Sequence, residues 1–361
     1  MKIRNSTYII AEAGVNHNGS VLLAKKLIDK AKQAGADAVK FQTFHAEDLV
    51  TAAMPQASYQ MRGRNRSATQ LAMLKKLELT DRDHEELYHY ARRRGIEFLS
   101  TPFDIRSLVF LVKLGIKKIK ISSGDLTNGP LLLSAARTKL PVILSTGMSK
   151  FKEIEDALAV LAFGYIRSRS EMPTVAKARR VFQIRKAKSL LIRNVILLQC
   201  TTEYPAPYNE VNLRAMDALR QHFGCSIGFS DHSEGVFAAI AAVGRGAVVI
   251  EKHFTLDKNM RGPDHQASLE PVEFAAMVRG IRAVEVMLGD GKKKPEKSEM
   301  KNIPVARKSL VAARPIRRGE CFSERNLASK RSGKGLSPMR FWDILGKRAK
   351  QNYAIDQRVC L

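Results

Sequence analysis

Tryptophan occurs once in the 361 residues and cysteine four times, and acidic residues number 35 against 61 Lys and Arg. Each shortage excludes something. Cys200, Cys225, Cys321 and Cys360 form no CxxC pair and no zinc-type spacing. Free thiols in a reducing compartment are the simple reading, with no disulfide scaffold. Long apolar runs are also missing. The longest, residues 236–250, is interrupted by Arg245, and a bilayer takes ~20 apolar residues to cross. The N-terminal apolar run stops at Glu12, a poor signal-peptide pattern. A cytoplasmic protein with no membrane span is expected.

The shortage of acid leaves a net charge of +26. Such a balance suits anionic substrates, nucleic acid or an anionic surface. Apart from one cluster the excess is scattered, and no aromatic-flanked RNA motif, helix-turn-helix or zinc finger accompanies it. A solvated surface that steers anions is therefore preferred, and nucleic acid is not expected as a partner. Apolar residues are present in ordinary amount, 45%, enough for a sizeable core. The length suits one large domain and a small one.

Short β-like runs alternate with helical runs. Residues 8–11 read as a strand, and a helix near 21–34 places Leu23, Leu27, Ala31 and Ala34 on one face. Residues 38–41 resume the strand pattern. Residues 43–79 read as a long, polar, irregular connection, of a kind usually functional or disordered. Thr80-Asp81-Arg82-Asp83 is a capping-box signal for a helix ending at Arg94, and residues 96–99 make the third strand. Further strands are predicted at 118–122, 141–144, 195–199, 226–229 and 247–251, and helices near 105–114, 129–138, 150–162, 210–222, 234–244 and 271–288. Eight βα units over residues 1–288 predict a (β/α)8 TIM barrel. A doubly wound sheet is the alternative, but the turn after the first strand lacks GxGxxG.

Residues 165–193 break the rhythm with nine Lys and Arg and one acid, Glu171. They predict an inserted, basic, partly helical surface segment. A solvated insertion is preferred there to contact with anions or a membrane surface. Residues 289–304, rich in Gly, Pro and Lys, read as a linker. Residues 305–361 read as a small β-rich domain, marginal alone at that size and so expected to pack on the barrel or another subunit.

Catalytic groups of a barrel sit at the C-terminal ends of its strands, and here every predicted strand ends in polar residues. These include Glu12, Lys40, Gln42, Thr101, Lys120, Ser123, Ser145, Thr202, Tyr204, Ser230, His232, Glu251 and His253. Lys40, Lys120, Ser123, Ser145 and Ser230 could hold a phosphate and a carboxylate, lysine as point charge and hydroxyls as donors. His232 and His253 end adjacent strands and could share one divalent ion, leaving positions open for water or a carbonyl oxygen. A Schiff-base role for Lys120 fits the dense anion and metal candidates less well.

Read as motifs, these strand ends resemble the sialic acid synthase family over nearly the whole chain. The segments are IIAEAGVNHNGS (Ile9–Ser20), VKFQTF (Val39–Phe44), MLKKLELT (Met73–Thr80), LSTPFD (Leu99–Asp104), KISSGDL (Lys120–Leu126), PVILSTGMS (Pro141–Ser149), QCTTEYPAP (Gln199–Pro207), GFSDHS (Gly228–Ser233), EKHFTLDK (Glu251–Lys258) and GPDHQASLEP (Gly262–Pro271). The tail at residues 307–338 resembles the antifreeze-like (SAF, β-clip) domain of these enzymes. The resemblance implies an N-acetylneuraminate synthase-type transferase that condenses phosphoenolpyruvate with N-acetylmannosamine. A legionaminic acid synthase using 2,4-diacetamido-2,4,6-trideoxymannose is the alternative; a non-catalytic barrel that only binds is the reading from another class.

By the resemblance, Lys40, Thr101, Lys120, Ser123, Ser145, Thr202 and Ser230 contact phosphoenolpyruvate. His232 and His253 ligate a divalent metal, commonly Mn2+, with Mg2+ or Co2+ as alternatives. Glu12 lies beside the reacting carbons, and Gln42, Tyr204 and Asp264 contact the amino sugar. Arg331 is the arginine that one subunit presents to the other's active site, which implies a domain-swapped homodimer. Three features depart from the family pattern. Thr202 stands where asparagine is frequent, Gln199 where histidine is, and the spacing around Tyr59, Gln60 and Asn65 differs, so Asn65 is not assigned to the sugar. His265 speaks against a pseudaminic acid synthase.

Overall fold

The computed structural model describes residues 6–56 and 69–360; Tyr59, Gln60 and Asn65 lie outside the described residues. Two compact units are present, Met1–Gly289 and Asp290–Leu361. In the first, strands and helices alternate: β1 (Tyr8–Gly14), α1 (Val21–Gln33), β2 (Ala38–Thr43), α2 (Ala46–Leu49), α3 (Gln70–Leu77), α4 (Asp81–Arg94), β3 (Glu97–Pro102), α5 (Ile105–Leu114), β4 (Ile119–Ile121) and α6 (Gly129–Arg137). The series continues with β5 (Val142–Ser145), α7 (Phe151–Ile166), α8 (Val175–Phe182), α9 (Arg185–Asn194), β6 (Val195–Gln199), α10 (Ala215–Phe223), β7 (Ser226–Asp231), α11 (Phe237–Gly244), β8 (Val249–His253) and α12 (Pro271–Met287).

Local chemistry sets the boundaries. The predicted capping box forms, with Thr80 and Asp83 satisfying each other's backbone N–H at the start of α4. Asp104, counted above within a strand-end motif, is the N-cap of α5 and accepts from Ser107 N. The described parts of the connection after β2, residues 44–56 and 69–80, carry helices α2 and α3. Thr69 caps α3, whose Met73, Leu74 and Leu77 join Val15, Phe44 and Ala46 in a small apolar cluster.

All eight strands run parallel, in the order β3-β2-β1-β8-β7-β6-β5-β4. β3 and β4 lie side by side but no ladder joins them, so the barrel is nearly closed. A large apolar layer fills the space between strands and helices. Inside the barrel, the residues that alternate inward change character along each strand. Ile10, Ala38, Leu99, Ile143, Ile196, Leu198 and Val249 form an apolar plug. Two residues further along are Glu12, Lys40, Thr101, Ser145 and Glu251, all buried.

The segment after α7 folds as α8 and α9, which pack on α7 through buried Ala178, Val181, Ala187 and Leu191. The second unit has short helices α13 (Lys297–Met300), within the stretch read from sequence as a linker, and α14 (Ile303–Ala306), which crosses that stretch's end at residue 304. An antiparallel pair follows, β9 (Lys308–Ala312) and β10 (Leu327–Arg331), then α15 (Phe341–Ile344). Its own core includes Leu310, Ile316, Phe322, Ile344, Tyr353 and Val359. No helix of the described residues is long and apolar enough to cross a membrane.

One core group makes stability depend on pH. His84 on α4 is buried against Phe98 and Phe110, and neither ring nitrogen has a hydrogen-bond partner among the described residues. Burial pushes its pKa down from 6.5 to about 4. The folded state keeps the ring neutral, so its contribution is complete above pH 6.5 and is lost as pH falls toward 4. The full loss is about 3 kcal/mol. Urea unfolding across this window should show a smaller loss in His84→Leu than in the parent; equal slopes would refute the assignment.

Candidate active site

The barrel's inward polar layer gathers four buried charges. Strand register sets Glu12 beside Lys40 on one side and beside His253 on the other. The Lys40 ammonium lies 2.6 Å from Glu12 Oε2 and 3.6 Å from Glu251 Oε2, and it donates to Thr101 Oγ1 at 2.9 Å. Lys120 Nζ lies 3.6 Å from Glu251 Oε1 and donates to Ser145 Oγ at 2.7 Å. Ser230 donates to Glu251 Oε1 at 3.0 Å, and Gln42 Nε2 points at Glu12 Oε1 from 3.4 Å.

Burial costs each ion its hydration. It pushes the Glu12 carboxyl up to about 7, against the pull of Lys40. Burial acts on Glu251 in the same direction, but Lys120, Lys40 and the Ser230 hydroxyl together hold that carboxyl down. For Lys40, burial is outweighed by the two carboxylates, which raise it; the Lys120 ammonium is lowered, chiefly by burial. The carboxylates share one ammonium and titrate as a unit. The outcome is an ionised Glu251 set between two lysines, and a Glu12 able to exchange a proton near neutrality.

The histidines stand beside this group. Their ring centroids are 5.5 Å apart, and the Tyr204 ring lies against His232 at 4.2 Å, tilted by 31°, and meets His253 edge-on at 5.3 Å. His232 Nδ1 faces the Thr201 carbonyl at 2.6 Å, which places the proton on Nδ1 and leaves Nε2 with its lone pair, 3.3 Å from Ser230 Oγ. His253 Nδ1 has no hydrogen-bond partner among the described residues, and the Asp264 carboxylate is 4.0 Å from it. Burial holds His232 at about 4 and His253 well below its usual value, so both rings are neutral. Burial likewise raises Asp264 to about 6.

Neutral imidazoles, one with its second nitrogen fixed by a carbonyl, suit a divalent metal ion. Among the described residues no three His, Cys, Asp or Glu side chains are grouped as a metal site. The pair therefore fits an ion that draws its other ligands from water and substrate. On the outer face of the same strands, Lys252 and Asp231 form a fully buried ion pair at 2.9 Å. Lys252 also donates to the Ser233 carbonyl. This pair ties together the two strands that carry the histidines.

Ser123 and Thr202 lie on another wall, around Gly147. Ser123 Oγ contacts Cys200 Sγ at 3.0 Å and accepts from Gly147 N at 3.0 Å. A Cβ at position 147 would stand 2.3 Å from Thr202 Oγ1 and 2.9 Å from both Ser123 Oγ and Cys200 Sγ. The next space outward, about 630 Å³, is lined by Met148, Cys200, Thr201, Thr202, Glu203, Pro207 and Glu210. A larger cavity of about 750 Å³ lies at the opposite end, around Tyr8, Glu97 and Lys118, away from this chemistry.

Of the residues singled out in sequence, the fold thus brings together Glu12, Lys40, Gln42, Thr101, Lys120, Ser145, Ser230, His232, His253, Tyr204 and Asp264. Ser123 and Thr202 share the Gly147 wall. Arg331 ends β10 in the second unit and is exposed. Sequence reasoning gave Glu251 no role, yet it bridges both lysines and Ser230. The spacing Glu251-Lys252-His253 was the available signal, since it puts Glu251 and His253 on one face of a strand.

The NeuB family model matches residues 27–293 and the SAF domain model residues 307–357. The chain belongs to the NeuB family. Over 353 residues it is 48% identical to an N,N'-diacetyllegionaminic acid synthase of Campylobacter jejuni subsp. jejuni serotype O:2, with 98% of each chain covered. It is 43% identical to a protein of the same name from Legionella pneumophila subsp. pneumophila, over 96% of this chain and 91% of the other. The crystal structure of N-acetylneuraminic acid (sialic acid) synthetase from Leptospira borgpetersenii serovar Hardjo-bovis matches with a TM-score of 0.66 and 34% identity, covering 82% of this chain and 90% of that one. The barrel expected from the βα alternation and the sialic-acid-synthase resemblance with its SAF tail are borne out, and this NeuB-family protein is an enzyme of the synthase type.

Gly147 gives a direct test of the packed wall. Gly147→Ala should cost about 1–3 kcal/mol of unfolding free energy by overpacking. Gly129→Ala, where nothing lies within 4 Å of the added carbon, should cost nothing. Equal unfolding midpoints for the two variants would mean that the wall is not close-packed.

Proposed function

We propose that this NeuB-family enzyme condenses phosphoenolpyruvate and water with 2,4-diacetamido-2,4,6-trideoxymannose, giving N,N'-diacetyllegionaminate and phosphate. The observation that carries the reaction is the pair of buried lysines, each on a hydroxyl and both facing Glu251, at the mouth of the barrel. Two fixed ammoniums with hydroxyl donors are suited to a substrate that bears a phosphate and a carboxylate. The acceptor moves from N-acetylmannosamine to the legionaminic-type sugar because both relatives above bear that name over nearly their full length.

In this reading Lys40, Thr101, Lys120, Ser145 and Ser230 hold the anionic groups, with Ser123 and Thr202 on the adjoining wall. Gln42, Tyr204 and Asp264 orient the sugar. A divalent ion held by His232 and His253, manganese by resemblance, would supply Lewis-acid polarisation of the acceptor aldehyde. C3 of the enol ester bonds to the aldehyde carbon, the C2–C3 π electrons forming the new bond, and the aldehyde oxygen takes a proton from solvent water. Water adds at C2 and gives its proton to Glu12, whose raised pKa suits a base working near neutrality. The bond from C2 to the phosphate oxygen then breaks, the C2 hydroxyl gives its proton to the departing phosphate, and the keto group forms. Arg331 enters through the family resemblance, as the residue a partner subunit would offer in a cytoplasmic homodimer.

Phosphate release measured with manganese and each acceptor in parallel tests the proposal. Release with the trideoxy sugar and not with N-acetylmannosamine is expected. Release with N-acetylmannosamine alone would overturn the acceptor, and release with neither, in folded metal-loaded protein, would overturn the reaction. With the active acceptor, kcat/KM should rise as pH passes about 7, where Glu12 loses its proton. Glu12→Gln should lower the rate by roughly 10²–10⁴-fold and flatten that rise. A rise unchanged in the variant would assign the base elsewhere.

A further inference from the structure

The chemistry above makes no use of α8 and α9. Their sequences, VAKARRVF and RKAKSLLIRN, contain seven cations and no acid. The faces turned to α7 are apolar, so every one of these cations is exposed. Arg179 is neutralised by Asp156. Lys177, Arg180, Arg185, Lys186, Lys188 and Arg193 have no acid within ion-pair reach among the described residues.

A cationic face alone is most often solvated. This one also displays apolar side chains. Val175 and Ile192 are 61% and 51% exposed, and Ile184, between the two helices, is 42% exposed. Met172 just before α8 is exposed as well. A surface for nucleic acid offers aromatic rings for stacking, and the one aromatic residue here, Phe182, is half-buried. Aliphatic side chains among unpaired lysines and arginines match the boundary between lipid headgroups and acyl chains.

We infer that the α8–α9 face docks the enzyme on an anionic phospholipid bilayer. Each cation that reaches such a surface multiplies the partition about fivefold, and salt screens the effect within a Debye length. The aliphatic residues add a contribution that salt leaves in place. This holds for the enzyme whatever its acceptor sugar.

The test is co-sedimentation of the full chain with vesicles of phosphatidylcholine alone and with vesicles containing phosphatidylglycerol. Binding to the anionic vesicles only, weakened by salt, is expected. The variant Lys177→Glu/Arg180→Glu/Lys186→Glu/Lys188→Glu should lose at least about tenfold in partition while keeping its phosphate-release activity. A control with the same change in net charge, Lys292→Glu/Lys293→Glu/Lys297→Glu/Lys301→Glu, should lose less than about twofold. If the first variant fails to fold, Lys186→Gln/Lys188→Gln should still lose several-fold. Absence of vesicle binding would overturn the inference. So would equal losses in variant and control, or displacement from vesicles by single-stranded RNA at low concentration.

Discussion

Everything at the mouth of this barrel rests on four charged side chains that neutralise one another out of reach of water. Glu12, Lys40, Lys120 and Glu251 lie on strands β1, β2, β4 and β8 and are each no more than 5% exposed. An isolated ion in such a place is costly, and removing one partner of a buried pair strands the other. The charges therefore constrain the strands as much as the strands position the charges. A slip of one residue in β1 or β8 would turn Glu12 or Glu251 outward into the apolar layer. The apolar plug beneath and the charged layer above are two consequences of the same register.

The outward side of the sheet repeats the device once. Asp231 and Lys252 pair on β7 and β8 beside the large apolar layer. Their neighbours in sequence, Ser230, His232, Glu251 and His253, face the opposite way. Holding the outer pair in register also fixes the separation of the two imidazoles. The ions that look structural and the ions that look chemical are thus parts of one arrangement of two strands.

The eight-fold alternation was legible because strand and helix differ in period and because Thr80-Asp83 and Asp104 mark helix starts through their own side chains. Residues 195–199 and 105–114 fall where they were expected, whereas the strand expected at 247–251 lies at Val249–His253. The strand runs two residues further than its apolar pattern because inside a barrel mouth charged residues can remain in a strand. The polar candidates were legible as strand ends, but their partners were not. Glu251 meets Lys120 across more than a hundred residues of chain, and nothing local in EKHF says that two lysines will converge on it. Gly147 was passed over for a related reason, since its value lies in what an absent side chain leaves room for. The acceptor sugar is a matter of one or two substituents, below what strand-end motifs resolve.

The missing ladder between β3 and β4 has a mechanical meaning. Lys40 stands on β2 and Lys120 on β4, with β3 and the gap between them. Counted through backbone hydrogen bonds, the route from one lysine to the other runs the long way round the cylinder. Among the described residues the short way has no backbone ladder and is spanned by side chains and by the packing of α4, α5 and α6 outside. β4 itself has three residues and hangs on β5 alone. The barrel is a slit tube whose slit runs between its two cationic jaws. Across that line a shift of β4 against β3 would repack side chains and break no rung of the sheet.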